Sequence, residues 1–376
     1  LILLTNWVEG CGVERLYHLD RLRVWCVYGV VALHGAMTYM EGCPGWWYVQ
    51  DQSRWWGFTL LVLMLDVFLM PVMFFLAGYL APGSLDRRGG GGFVRERLRR
   101  LGPPWILGVV LFAPLFALAS LVNLGYPVPP LGTFVWKVFL GPAYQQAHFW
   151  FLGVLISFSL IFPLLWRWLC PLVDRVPMGG WVAACWALAA GWFVVMGRHF
   201  PLDGWVHPGY VLVFQPLRIG GYLLVFLLGA AAGRGGWFGG DRSALADLGL
   251  AILGICLLGA SVAMRLQLPP KPQGVHLLVY AALNQGSAVL MPLGLVAVMR
   301  RLGSGGSCRL DLASRASYGL YWLHQMILVP IAWALGGLGL PALVKFSLVV
   351  GLTVWLGEIS SARVLPRVPW LGGSFQ

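Results

Sequence analysis

Leu19-Asp20-Arg21-Leu22-Arg23 is followed by an apolar run that ends near Met40 and holds one histidine, His34. No residue from Val24 to Leu33 is charged, so the stretch reads as a helix entering a membrane with arginines at its mouth. Arg23 and His34 are eleven residues apart. At about 100° per residue that is three turns and roughly 20°, so both side chains leave one face. At about 1.5 Å rise per residue, the imidazole lies about 16 Å deeper than the guanidinium. Ionisable groups inside a bilayer are costly and ordinarily face a cavity or a partner, which makes both residues functional candidates.

The rest of the chain agrees with a membrane setting. Of 376 residues, 59% are hydrophobic and 11% charged, against about 25% charged in a soluble domain. The fold class expected is an all-α integral membrane protein. Runs of about 20 apolar residues are long enough to cross. Ten are found, at 24–40, 56–81, 103–123, 149–166, 180–197, 210–232, 244–264, 275–299, 316–335 and 341–359. Threading them from a cytoplasmic N-terminus places nineteen of the 26 Lys and Arg in cytoplasmic segments, the positive-inside asymmetry, and leaves both termini in the cytoplasm. The net charge of +12 is thereby explained by topology and by anionic lipid, and no nucleic-acid partner is needed.

The seven cysteines, from Cys11 to Cys308, include no C-x-x-C pair. Neither a disulfide framework nor a zinc site is expected, and no metal is assigned. No repeat of fixed period is visible. The organisation expected is one membrane domain over 1–376, with 1–23 a cytoplasmic N-terminal segment and 360–376 a short cytoplasmic tail.

Chemistry-bearing residues recur along the spans. Asp66 lies in the second run, ahead of Met70-Pro71-Val72-Met73-Phe74-Phe75-Leu76-Ala77-Gly78-Tyr79. Gly89 to Gly92 predict a flexible loop before Arg95-Glu96-Arg97-Leu98-Arg99-Arg100 and Pro103-Pro104. A proline-rich external segment, 124–148, is expected to hold a short interfacial helix around Phe134–Leu140. It closes on His148-Phe149-Trp150-Phe151-Leu152, and a late run carries Ser317-Tyr318-Gly319-x-Tyr321-x-x-His324-Gln325.

Taken together and in this order, these motifs resemble the membrane-bound acyltransferase-3 family, and within it the branch of glucan biosynthesis protein C, a succinyl transferase acting on periplasmic glucans. The resemblance implies transfer of an acyl group, acetyl or succinyl, from acyl-CoA to a hydroxyl of a periplasmic or cell-surface carbohydrate, at a bacterial inner membrane. It implies that Arg23 and His34 are essential and that Arg97 and Arg100 help to hold the donor. Acyl-CoA is expected as co-substrate, with no permanently bound cofactor. Some members carry an extracytoplasmic hydrolase-like domain, which is not expected here.

Each residue also has a plainer reading. A neutral His34 is suited to take a proton from the acceptor hydroxyl, or to carry the acyl group itself; otherwise it is a buried histidine bonded across a helix interface. Arg23 has the fork geometry for a CoA phosphate; otherwise it sets orientation. Arg97 and Arg100 share a helix face, as a phosphate clamp or as positive-inside charge. Asp66, near mid-depth on an antiparallel neighbour, is positioned to orient His34, with Arg218 and Lys345 as rival partners. His324 is expected at the depth of His34, lining the same cavity. His148 and Trp150 are expected to meet the sugar, although Trp is also an interface anchor. The alternative from another class is a transporter of a glycan or metabolite through the same polar cavity; it lacks the paired interrupted helices that such proteins often show.

Overall fold

The computed structural model describes residues 16–240, 242–303, 307–368 and 374. Expectations for Cys11, Arg15 and the rest of the segment before Leu16 lie outside the described residues, as do those for 369–373. Each predicted run falls on a helix: α1 (Tyr17–Tyr39), α2 (Trp56–Tyr79), α3 (Ala81–Leu107) continuing into α4 (Ala113–Asn123), α6 (Trp150–Val173) and α7 (Met178–Gly197). The series continues with α8 (Pro216–Arg234), α9 (Ala244–Arg265), α10 (Gly274–Arg301), α11 (Cys308–Gly336) and α12 (Ala342–Arg363). The expected interfacial helix is a single turn, α5 (Leu131–Thr133), running into a wider turn over Phe134–Phe139. Among the described residues the only β pairing is one isolated bridge, Val206 with Phe214. The protein is an all-α, multi-pass membrane protein.

Nine helical segments among the described residues are long and apolar enough to span a membrane. The tenth, α1, carries Asp20, Arg21, Arg23 and His34 and is held instead by its neighbours, α2, α10, α11 and α12. The last helix shows apolar residues facing out and polar ones facing in. On α12, Leu343, Leu348, Leu352 and Trp355 are exposed, while Lys345, Thr353 and Ser361 are buried. A bilayer offers apolar side chains no reason to turn inward, so polar groups gather where they find partners.

Ion pairs mark the two ends of the bundle. At the arginine-rich end, buried Asp247 at the start of α9 holds Arg242, Arg300 and Arg301. Arg21 of α1 donates there to the carbonyls of Leu302 and Gly303. At the opposite end Arg265 pairs with Asp203, and Lys345 with Asp51.

The glycine run is not a loop. Only Gly89 (φ 66°, ψ 169°) leaves the helical region, and α3 is helical on both sides of it. A positive φ there suits glycine alone, while Phe93 beyond it is buried against Phe162. The run therefore makes a sharp bend in α3.

The backbones of α2 and α8 press directly on one another. A Cβ at Gly229 would stand 2.2 Å from the Phe75 carbonyl oxygen, and one at Gly78 would stand 1.9 Å from that of Phe226. Small residues let the two backbones touch. Gly229→Ala is expected to cost about 1–3 kcal/mol as a forced overpacking, read as earlier loss of the monodisperse peak when the detergent-solubilised protein is heated.

Candidate active site

Two parallel helices position the site. Eleven residues separate Arg23 from His34 on α1, and ten separate Ser314 from His324 on α11. Matched in direction and rise, the two helices meet at both levels. At the lower level Arg23 is buried. Its Nε donates to Ser317 Oγ (3.2 Å) and its Nη2 to the Ser314 carbonyl (3.1 Å) and hydroxyl. Asp20 Oδ1 stands 3.0 Å from the same Nη2. Arg23 and His34 thus share a face, as the spacing predicts. That face is turned onto α11, and the guanidinium ties the two helices together instead of standing at the open end of the bundle.

At the upper level three imidazoles cluster. The rings of His34 and His324 are 4.9 Å apart, and those of His148 and His324 4.4 Å apart. His324 and His148 are buried, at 0% and 4% exposure, whereas His34 is partly exposed. His148 reaches the cluster through a strained turn. Ala147 has φ 46°, a left-handed conformation that a non-glycine residue adopts at a cost. Beyond it, His148 Nε2 donates to the Trp322 carbonyl (3.0 Å), and Tyr321 Oη donates to the His148 carbonyl.

The partners fix which nitrogen carries the proton. His324 Nδ1 lies 2.6 Å from the Tyr321 carbonyl, which only accepts, so Nδ1 is the donor. A neutral His324 then has its lone pair on Nε2, and this faces His34 Nδ1 at 3.1 Å. His34 Nδ1 is also 2.9 Å from the Val30 carbonyl. With two acceptors before it, Nδ1 holds the hydrogen, and the free lone pair of His34 is on Nε2. Nε2 makes no hydrogen bond within the described residues. Trp47 lies over the His34 ring, with centroids 5.5 Å apart and planes within 16°. Buried Gln325 stands in the next position on α11. Among the described residues, no group of three His, Cys, Asp or Glu is arranged to hold a metal ion.

Asp66 does not reach this cluster. Its carboxylate bonds Arg218 Nη2 at 2.6 Å on α8, one of the rivals that the sequence offers. A buried guanidinium needs a counter-charge more than a neutral imidazole does, and Arg218 is the cation within reach. The other rival, Lys345, is paired with Asp51. Trp150 stacks on Tyr222 and abuts Trp205 edge-on.

The arginine cluster of α3 divides. Glu96 collects Arg88, Arg99 and Arg100. Arg97, at 7% exposure, lies over the Phe93 ring, and its Nε has no hydrogen-bond partner. This half of α3 is joined to α11 by Tyr318 Oη, donating to the Arg100 carbonyl (3.4 Å), and by Trp322 Nε1, donating to the Pro104 carbonyl (2.9 Å). Trp47, Tyr321 and Gln325 had no assigned role from sequence. The last two share a motif with His324, whereas Trp47 sits in a loop without periodic pattern.

Compared with known families, the chain matches the model of an acyltransferase domain, the third of that name, over residues 16–358. No curated protein and no solved structure matches it.

Because Asp66 serves Arg218, Asp66→Asn is expected to destabilise the fold by about 1–3 kcal/mol, less than for a fully buried pair because the Asp66 side chain is 43% exposed. Asp66→Asn/Arg218→Met removes both charges and is expected to recover part of that loss in a detergent melting curve.

Proposed function

The chain belongs to the acyltransferase-3 family, and from that premise we propose that it carries an acyl group from cytoplasmic acyl-CoA to a hydroxyl of a carbohydrate beyond a bacterial inner membrane. Membership makes it an acyltransferase acting on groups other than amino-acyl groups, and the transporter reading falls away. The observation that carries the finer reading is the partner-free Nε2 of His34, on a ring whose other nitrogen is fixed by His324.

In this reading the donor enters at the arginine-rich end. Arg97 is the cation suited to its phosphates, being buried and lacking a partner at Nε; a guanidinium fork matches two phosphate oxygens. Arg100 stands beside it, held by Glu96. Arg23 contributes by setting the register that brings His34 to His324. The pantetheine arm is long and thin and covers the rise between the two levels.

At the upper level His34 Nε2 takes the proton of the acceptor hydroxyl as its oxygen bonds to the thioester carbon. The tetrahedral intermediate collapses, the carbon–sulfur bond breaks, and the imidazolium returns the proton to the departing thiolate. Ester and free CoA result. During the step, imidazolium Nδ1–H still donates to His324, so His324 acts as an orienting residue, the place a carboxylate takes in a catalytic triad. His148 fixes His324 from behind. His148 was expected to meet the sugar and His324 to line the cavity, and their burial favours this supporting role.

In proteoliposomes given radiolabelled acyl-CoA and cell-envelope carbohydrate, His34→Ala is expected to lose transfer by about 10²-fold or more, the low end for general-base removal. Wild-type rates in that variant would end the proposal. Arg97→Ala is expected to raise KM for acyl-CoA while leaving KM for the matching acyl-pantetheine, which lacks the nucleotide phosphates, unchanged. An equal rise for both donors would mean that Arg97 does not read phosphate.

A further inference from the structure

The side chains of Lys345 and Asp51 are buried at 1% and 0% exposure, with Nζ 2.8 Å and 3.0 Å from the two carboxylate oxygens. The acyl transfer above makes no use of them. A buried ion pair is expensive to desolvate and is weak evidence for stability by itself, so what it holds in place matters. Asp51 lies in the loop between α1 and α2. Its backbone N–H donates to the Thr38 carbonyl (3.1 Å), and its Oδ1 also accepts from the Ser53 N–H (2.7 Å). Thr38 Oγ1 in turn accepts from Trp47 Nε1 (3.1 Å).

The rest of the loop is fixed as firmly. Tyr48 stacks on Phe116 and donates to Gln145 Oε1 (3.2 Å), Ser120 Oγ donates to the Trp46 carbonyl (2.8 Å), and Gln50 N–H donates to Asn123 Oδ1 (3.0 Å). Trp47 itself is fully buried. One chain of contacts therefore runs from Lys345 on α12, through Asp51 and Thr38, to the indole lying over His34.

We propose that Trp47, latched by Thr38 and by the Asp51–Lys345 pair, decides whether the acyl group goes to the acceptor or to water. The inference rests on His34 acting as the base in acyl transfer. Water and a sugar hydroxyl are both O–H nucleophiles, and a base that activates one will activate the other. If water is deprotonated, its oxygen bonds to the acyl carbon, the carbon–sulfur bond breaks, and the proton passes to the thiolate, giving free acid and CoA. An indole against the ring removes one face from solvent and leaves less room for a second nucleophile. Trp47 is thus a positioning residue for specificity, acting through the His34 ring that it lies over.

The test uses the full chain in liposomes with radiolabelled acetyl-CoA. Free thiol is measured without acceptor, and label entering carbohydrate is measured when cell-envelope glycan is added. In Trp47→Leu, Thr38→Val and Asp51→Asn/Lys345→Met the ratio of hydrolysis to transfer is expected to rise about two- to tenfold, the range to which one lost aromatic contact converts. A purely structural role would lower both rates together and leave the ratio unchanged, and that result in Trp47→Leu and Thr38→Val overturns the proposal. Thr38→Val alters one hydroxyl and decides the matter if the double variant does not fold. A wild-type protein that neither hydrolyses nor transfers any acyl-CoA would instead refute the acyl-transfer reading, and this proposal with it.

Discussion

The parallel contact of α1 with α11 organises the molecule. Two rows of polar side chains, one on each helix, are spaced so that a single register satisfies both ends at once. Arg23 finds two serines and Asp20 below, and His34 finds His324 above. In a bilayer such groups have no water to fall back on, so a slip of one residue would strand a guanidinium and an imidazole together. The register is fixed by polar contacts because lipid provides no hydrophobic drive to fix it.

That constraint explains how three neutral imidazoles are arranged. Each ring but the outermost gives its hydrogen to a backbone carbonyl of α11, and the outermost, His34, keeps an Nε2 with no hydrogen bond among the described residues. Among the described residues no carboxylate takes part. In the acyl transfer proposed above, a neutral orienter suits a base that must release its proton again within the same turnover, because a buried anion beside the ring would stabilise the imidazolium. The strained turn at Ala147 is explained in the same way, since it aims His148 into the stack.

Much of this architecture is legible in the sequence. Spans declare themselves because about twenty apolar residues in a row have few other uses, and each run found its helix. The shared face of Arg23 and His34 follows from helical pitch alone, as does the comparable depth of His324. Pairing between helices is not carried by pitch or hydropathy, which is why Asp66 with Arg218 and the inward turn of Arg23 emerge only from coordinates. The glycine run misleads for a different reason. Glycine's conformational freedom argues for a loop, yet packing at Phe93 recovers the helix one residue beyond the bend. Trp47 leaves no periodic trace, because its place is fixed by a carboxylate–lysine pair nearly three hundred residues apart in the chain.

The backbone contact of α2 with α8 has a mechanical consequence. Where Gly78, Gly229 and Gly233 press against carbonyls, neither helix can shear past the other without collision, so this pair forms a rigid spine. Tyr318 and Trp322 bridge from α11 to α3 through side-chain hydrogen bonds, and side chains can swing where backbones cannot. The α3–α11 flank is therefore the softer contact of the two, and the α2–α8 spine the stiffer.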